Sequence, residues 1–180
     1  MEDPLPHSLP VGHAAITPEE RKLLAHDRRL RVRAARASVS VATVLVVAKV
    51  AASLLTVPGA LDFFVGGGVV YSLRARDVLF ALPREAYRGM RGASEDYAAL
   101  QARAIRDNFG AEWGLAESGS VGGSNHPTGA PAGRSVAAIA GPDGLERTAP
   151  IETASDDRIA NMADFTRNAI DLLERSLAEA

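Results

Sequence analysis

The sequence predicts an α/β layered fold. Short apolar segments rich in β-branched residues alternate along the chain with segments whose apolar residues recur every three or four positions. Such alternation of strands with helices is typical of a sheet covered by helices. The composition, 47% hydrophobic and 23% charged, is that of an ordinary globular protein, and 180 residues suit a single domain.

The amino-terminal part of the chain divides at residue 17. Residues 1–16 contain three prolines and no apolar periodicity, so we expect a flexible tail there. The tetrapeptide Thr17-Pro18-Glu19-Glu20 has the pattern of a helix start, with a Thr N-cap, a Pro at the first helical position and a Glu three residues after the cap. We therefore predict a helix that ends near Ala35 and a domain that extends over residues 17–180.

The run from Ser38 to Val57 is almost entirely apolar and follows a cluster of arginines. One interpretation is a membrane span over residues 37–57 with positive charge on one flank. Against it, Lys49 lies near the middle of the run, where a charge costs about 2.5–3.5 kcal/mol on insertion scales. A buried strand with β-branched residues that turns into an Ala-rich helix fits the same run and lets Lys49 reach the surface. We adopt this second interpretation and expect no membrane span.

The following elements are predicted from their local signals. A buried strand, Phe63–Tyr71, contains three consecutive glycines, which indicate a bulge or a close backbone approach. A short helix, Ser72–Leu82, ends at a proline, and a longer helix begins after Ser94 and runs to Phe109, where Gly110 ends it. Its inward face is predicted from the spacing of Tyr97, Leu100, Ala104 and Ile105.

The carboxyl-terminal third is predicted to contain three strands and one helix. Residues 111–117 form a strand, residues 118–133 a loop rich in Gly and Ser, and residues 134–140 and 145–153 a hairpin around a Gly-Pro-Asp-Gly turn. Ser155-Asp156-Asp157 then caps a last helix that reaches about Leu177. Its predicted inward residues are Ile159, Met162, Ile170, Leu173 and Leu177.

Composition excludes several classes of function. The chain has no cysteine, which removes disulfides, thiolate nucleophiles and zinc ribbons, and its four histidines stand at no metal-ligand spacing. A net charge of −2 gives no general attraction to nucleic acid or acidic membranes. We therefore predict no metal, no cofactor and no nucleic-acid partner.

Three motifs resemble one known family. Leu54–Tyr71 reads LLTVPGALDFFVGGGVVY, which is similar to the Val-Pro-Gly-Ala…Phe-Phe…Gly-Gly…Val-Tyr-Ser signature of the CinA C-terminal domain family. Trp113–Gly119 resembles the family's Leu-Ala-x-Thr-Gly segment, and Glu152–Met162 resembles the Asp-Arg-containing start of its last helix. The resemblance covers about residues 20–180. It implies a three-layer α/β/α arrangement around a mixed sheet and, in the best-understood members, amidase activity on nicotinamide mononucleotide.

The resemblance also places the family's chemistry on this sequence. The family carries Ala-Glu-Ser-Cys-Thr-Gly-Gly with Ser as the nucleophile, and ungapped counting places Val44 at the Ser and Thr43 at the Glu. The family's Tyr corresponds to Tyr71, and its Lys, five residues later, corresponds to Arg76. Valine has no nucleophilic atom, and arginine stays protonated and cannot act as a general base. The sequence therefore predicts that amide hydrolysis is lost.

A ligand-binding function is the remaining expectation. The predicted loop keeps Ser118, Gly119, Ser120, Gly122 and Gly123, whose backbone amides and hydroxyls can hold a phosphate or a ribose. The guanidinium groups of Arg74 and Arg76 would add positive charge beside it. A plain connecting loop is the alternative interpretation of the same residues.

We thus predict a cytoplasmic, homo-oligomeric CinA-like protein that binds a phosphate-bearing nucleotide or acts in assembly. The alternative is an active amidohydrolase whose nucleophile has moved to Ser40, Thr43 or Ser120.

Overall fold

The computed structural model describes residues 38–43, 46–123 and 129–180. Several predictions made from the sequence lie outside these ranges. They are the tail over residues 1–16, the helix from Thr17 to about Ala35, Val44 at the nucleophile position, and the middle of the Gly/Ser loop over residues 124–128.

The described chain folds into five strands and four α-helices. The strands are β1 (Val39–Thr43), β2 (Phe64–Val69), β3 (Trp113–Ser120), β4 (Arg134–Ala140) and β5 (Glu146–Glu152). The helices are α1 (Val47–Leu55), α2 (Leu73–Phe80), α3 (Glu95–Phe109) and α4 (Arg158–Glu179).

The strands form one mixed sheet in the order β2-β1-β3-β4-β5. Strands β2 and β3 both run parallel to β1, whereas β3, β4 and β5 form an antiparallel meander. The parallel neighbours of β1 are reached through crossover connections that contain helices, which is what parallel pairing requires. The hairpin between β4 and β5 confirms the turn predicted at residues 141–144.

Helices cover both faces of the sheet. On one face, Val50 and Leu54 of α1 and Phe165 and Leu173 of α4 pack against strand residues such as Val41. On the other face, α3 packs small side chains against the sheet, and a Cβ at Gly114 would lie only 2.0 Å from the carbonyl oxygen of Ala102. Helix α2 joins that face through Phe80. The fold is therefore the three-layer α/β/α arrangement that the family resemblance implied.

The apolar run from Ser38 to Val57 is a buried strand followed by a nine-residue helix, as predicted. This strand and short helix differ from the single long helix that a span over residues 37–57 would need. Among the described residues, no helix is long and apolar enough to cross a membrane.

Two other expectations need correction. Strand β3 continues to Ser120, so the first three residues of the predicted loop, Ser118, Gly119 and Ser120, belong to a strand. Residues at this end of β3 contact neighbouring elements, and a composition rich in Gly and Ser does not reveal those contacts. Ile159 is 69% exposed because it lies in the first turn of α4, beyond the part of the helix that packs on the sheet.

Candidate functional site

The topology of the sheet places its switch point at the carboxyl ends of β1 and β3. The connection from β1 to β2 contains α1 on one face, and the chain returns from β2 to β3 with α3 on the opposite face. The strand order therefore reverses between β1 and β3, and open α/β sheets bind ligands outside the carboxyl ends of strands at such a point. Thr43 and Glu117 are register partners at these two strand ends.

Glu117 is a fully buried carboxylate at this position. The hydroxyl of Ser135, on the neighbouring strand β4, donates a hydrogen bond to Glu117 Oε1. Buried acidic residues are uncommon in strands, because a charge in the interior is costly unless it is hydrogen-bonded or paired. The sequence analysis did not select this residue, although an acidic residue inside the predicted buried strand 111–117 was the signal that could have found it.

Arg76 lies in α2, and its guanidinium faces a cluster of two aromatic side chains, Tyr87 and Tyr97. Its guanidinium is 3.9 Å from the centroid of the Tyr87 ring, and its Nε and Nη2 donate to Asp77 Oδ1 at 3.1 and 2.8 Å. Tyr97 of α3 extends the cluster, with its ring centroid 5.9 Å from that of Tyr87. The cation that the resemblance places at the family's base position is therefore held by packing and by an ion pair.

The pKa shifts of Arg76, Asp77 and Tyr87 agree with this geometry. Burial alone would lower the pKa of Arg76, but hydrogen bonds with Asp77 and Tyr97 outweigh it and raise the pKa above the usual arginine value. The hydrogen bond from Arg76 lowers the pKa of Asp77. Burial raises the pKa of the Tyr87 hydroxyl to about 12, although the nearby Arg76 opposes this shift. All three groups therefore keep their usual charge states at neutral pH, and none is suited to exchange protons there.

Tyr71 and Arg74 are placed differently from Arg76. Tyr71 follows β2 directly and its side chain is 69% exposed, and Arg74, in the first turn of α2, is also exposed. Both side chains are open to solvent, whereas the guanidinium of Arg76 faces Tyr87. The structure thus separates Arg76 from Tyr71 and Arg74, with which the sequence grouped it.

The hydroxyls predicted to bind a ligand are buried. Ser118 Oγ accepts a hydrogen bond from the Ala93 N–H at 3.2 Å, and the Ser120 side chain is buried near the end of β3. Between them, a Cβ at Gly119 would lie 2.7 Å from Glu117 Oε1 and from Ser135 Oγ. Gly119 is therefore required for the packing of the buried Glu117–Ser135 pair.

Gly122 and Gly123 form a turn that the chain's own side chains hold. Both residues have left-handed φ angles, +92° and +77°. The Gly123 N–H donates to Asp156 Oδ1 at 2.8 Å, and Arg158 Nη1 donates to the Gly122 carbonyl at 3.1 Å. The Gly123 N–H, which was predicted to bind a phosphate, therefore already donates a hydrogen bond to a carboxylate of the protein itself.

A second set of hydrogen bonds fixes the carboxyl end of β3 just before this turn. The buried Asn161 of α4 donates through Nδ2 to the Val121 carbonyl at 3.0 Å and to the Ser155 carbonyl at 2.8 Å. Thr153 completes the contact by donating to Asn161 Oδ1. The Glu152–Met162 motif thus joins the start of α4 to the carboxyl end of β3.

Sequence reasoning recognised the motif but assigned only a capping role to its acidic residues. Asp157 fills that role, since its Oδ1 accepts from the N–H groups of Ile159 and Ala160.

Apolar residues follow β1 in the sequence. Where the family's signature has Thr-Gly-Gly, this chain has Val46-Val47-Ala48, and Val46 is fully buried in the core that α1 shares with the sheet. Across the described ranges, no group of three or more acidic or histidine side chains is arranged to hold a metal ion.

Comparison with known proteins identifies the relatives of this fold. The family model of the CinA C-terminal domain matches residues 22–177. A CinA-like protein of Desulfosudis oleivorans is 30% identical over 167 residues, which is 93% of this chain and 40% of the relative. A CinA-like protein of Parasynechococcus marenigrum is 34% identical over 98 residues, 54% of this chain and 23% of that relative. The chain thus spans less than half of the length of these curated relatives.

Solved structures share the architecture. A CinA superfamily protein from Enterobacter cloacae superposes with a TM-score of 0.76 at 22% identity, covering 98% of this chain and 99% of that one. A competence/damage-inducible protein from Agrobacterium tumefaciens gives a TM-score of 0.78 at 18% identity, with coverages of 92% and 99%. At these identities the superpositions establish the fold.

Proposed function

Because the chain belongs to the CinA C-terminal domain family, we propose that it is a member that has lost nicotinamide-nucleotide amidase chemistry and keeps a weak nucleotide-binding role. The proposal includes the cytoplasmic location and the self-assembly expected from the sequence. It concerns the domain described here, because the curated relatives are longer.

The placement of Arg76 carries the proposal. A general base must lose its proton readily, whereas a guanidinium remains charged at any physiological pH. Here the group is also held against Tyr87 and Asp77, and these contacts stabilise the charged form further. With Val44 at the nucleophile position, both partners of the Ser–Lys chemistry are replaced.

The alternative, an amidohydrolase with a relocated nucleophile, finds little support in the hydroxyls that the structure describes. Ser40 is fully buried and its Oγ donates to the Trp113 carbonyl at 3.2 Å. Ser120 is also buried, so neither hydroxyl is open to a substrate. The side chain of Thr43 lies outside the described part of the chain.

A residual binding surface is supported by the exposed groups at the carboxyl edge. Arg74 and Arg158 offer guanidinium groups, and Gly123 lies exposed in a left-handed turn. A phosphate would have to displace Asp156 from the Gly123 N–H, which opposes binding. We therefore expect dissociation constants between about 1 μM and 1 mM, which correspond to about −8 to −4 kcal/mol.

Calorimetric titration with nicotinamide mononucleotide tests the binding role. Inorganic phosphate and nicotinamide riboside, which lacks the phosphate, are the comparison ligands. We expect measurable heat with the nucleotide, weaker binding after Arg74→Ala, and no change after Arg84→Ala, since Arg84 is an exposed arginine that interacts with Asp77. If the nucleotide gives no heat at millimolar concentration, or if Arg74→Ala leaves the affinity unchanged, the binding role is wrong.

A further inference from the structure

Helix α3 carries a buried glutamine whose amide group has no hydrogen-bond partner. The side chain of Gln101 is fully buried, and neither its Oε1 nor its Nε2 has a partner within the described chain. Burying an amide without a partner is costly, because the group loses its hydrogen bonds to water and gains none. Such groups are rare in folded proteins and point to a bound molecule or to a functional role. The packing of α3 thus leaves two N–H donors and one carbonyl acceptor unused.

A second polar atom without a partner lies on the same side of α3. Gln101 lies one turn after Tyr97 and one turn before Ile105, on one face of the helix. Ile105 belongs to the apolar cluster that contains Tyr87, and Tyr97 packs against that cluster. The hydroxyl of Tyr87 is buried there and has no hydrogen-bond partner among the described residues. A carboxamide and a hydroxyl are therefore both available in this region to a small polar molecule.

The cluster lies at the edge of the sheet where α/β proteins bind ligands. It includes Ala42, the last residue but one of β1, and Val70, which directly follows β2. These two positions are at the carboxyl ends of neighbouring parallel strands. Open α/β sheets bind ligands outside this edge. The unpartnered groups of Gln101 and Tyr87 thus lie in the part of the fold where a ligand is expected.

The segment between α2 and α3 packs on this cluster and is held to it mainly by one side chain. Among residues 82–92, which we call the lid, only Tyr87 is buried, and Leu82 packs half-buried against the same cluster. The backbone-to-backbone hydrogen bonds of these residues within the described chain, such as that from the Met90 N–H to the Tyr87 carbonyl, stay inside the lid. Segments with so few buried contacts open at a low cost in free energy.

The residues that flank the lid have strained backbones. Ala81 and Ala93 have φ angles of +51° and +57°, in the left-handed region that alanine rarely adopts. Such conformations are found at ligand clamps and switch regions. The N–H of Ala93 donates to Ser118 Oγ, which anchors this end of the lid to β3. Rotation of the backbone at these two alanines would relieve the strain and move Tyr87 away from α3.

We propose that Gln101 and Tyr87 form a binding site for the carboxamide group of a small neutral ring, and that the lid opens to admit it. A carboxamide carries a donor and an acceptor side by side, which match the free carbonyl and amino groups of Gln101. A carboxylate has acceptors only, so it would leave Gln101 Oε1 without a partner. The nearest described cation, Arg76, is already paired with Asp77. The inference rests on the proposed nucleotide-binding role and adds the recognition of the nicotinamide ring to that of the phosphate.

Hydrogen exchange measured by mass spectrometry on the full chain tests the lid. Gln101→Met removes the unpartnered amide and should favour the closed lid, so amide exchange in residues 82–92 should slow by about tenfold. Tyr87→Ala removes the side chain that holds the lid and should speed this exchange by about tenfold or more. Leu100→Met is the matched control, because it places a methionine beside Gln101 without removing a polar atom. Exchange in the lid that neither Gln101→Met nor Tyr87→Ala changes would overturn the opening.

Calorimetric titrations with nicotinamide mononucleotide and nicotinate mononucleotide, which has a carboxylate in place of the carboxamide, test the site. We expect the full chain to bind the carboxamide form about tenfold more tightly, Gln101→Met to lose this preference and Leu100→Met to keep it.

Equal binding of the two nucleotides by the full chain, or a preference that survives Gln101→Met, would overturn the site. The nucleotide-binding role would then still stand if Arg74→Ala weakens the binding of both nucleotides. If neither nucleotide binds, the nucleotide-binding role and the carboxamide site are both wrong.

Discussion

The Arg76 guanidinium lies 3.9 Å from the centroid of the Tyr87 ring. This contact joins α2 to the turn that precedes α3, and Asp77 accepts two hydrogen bonds from the same guanidinium. The position at which the family resemblance places a catalytic lysine is therefore occupied by a structural cation.

Replacing Arg76 should destabilise the fold. Arg76→Ala removes the stacking on Tyr87, which we expect to cost about 1 kcal/mol in the free energy of unfolding because the contact is largely shielded from water. Urea unfolding measures the change. Arg84→Ala removes the other arginine that contacts Asp77, but its side chain is 82% exposed, so we expect little effect. Equal losses in the two variants would mean that the stacking contributes nothing.

The raised pKa of Tyr87 predicts a loss of stability at alkaline pH. Its pKa is about 12 in the folded protein, against about 10 for an ordinary tyrosine. Between these values the unfolded chain releases the proton while the folded chain keeps it. The contribution to stability is therefore complete below about pH 10 and falls as the pH rises toward 12.

Urea unfolding over this pH range should show a shallower decline for Tyr87→Phe than for the unchanged protein. The substitution should also be mild at neutral pH, because the Tyr87 hydroxyl has no hydrogen-bond partner within the described chain. Tyr71→Phe, on an exposed side chain, controls for the loss of a tyrosine hydroxyl. If the stability of Tyr87→Phe and of the unchanged protein declines in parallel with pH, the alkaline loss of stability does not come from the raised pKa of Tyr87.

The turn after β3 should be sensitive to a single methyl group. At Gly122 a Cβ would lie 2.5 Å from Asp156 Oδ1 and 2.8 Å from the Asp156 carbonyl oxygen. We therefore expect Gly122→Ala to destabilise the fold by about 2 kcal/mol or more, because it adds a clash to the strain of a left-handed φ angle.

Gly89→Ala separates these two causes. Gly89 has a similar φ angle, +80°, but a Cβ there meets no atom within 4 Å, so this variant reports the backbone strain alone. Thermal unfolding of both variants gives the comparison. If Gly122→Ala lowers the stability no more than Gly89→Ala does, the contact between Asp156 and the turn gives way to the added methyl group.

Periodicity and end signals predicted much of the fold. The change from β-branched residues to an Ala-rich segment located β1 and α1, and Gly110 marked the end of α3. These signals are local, so they can be recognised without knowledge of the tertiary structure. The hairpin of β4 and β5 followed from its Gly-Pro-Asp-Gly turn for the same reason.

The site was harder to predict because its polar groups depend on distant partners. Ser118 and Gly119 read as loop residues, yet pairing with Val136 and Ser135 of β4 makes them part of a strand. Similarly, nothing near Gly123 in the sequence shows that Asp156, thirty-three residues later, occupies its N–H. The role of Glu117 depends on a serine in another strand.

Ammonia release from nicotinamide mononucleotide by the purified full chain tests the central claim most directly. The family resemblance places Val44 at the nucleophile and Arg76 at the base, and the loss of such groups costs about 10⁶ in turnover, so the proposal predicts no release above the protein-free blank. Turnover of about 1 s⁻¹ or faster, in the range of ordinary enzymes, that Tyr71→Phe abolishes would contradict the account.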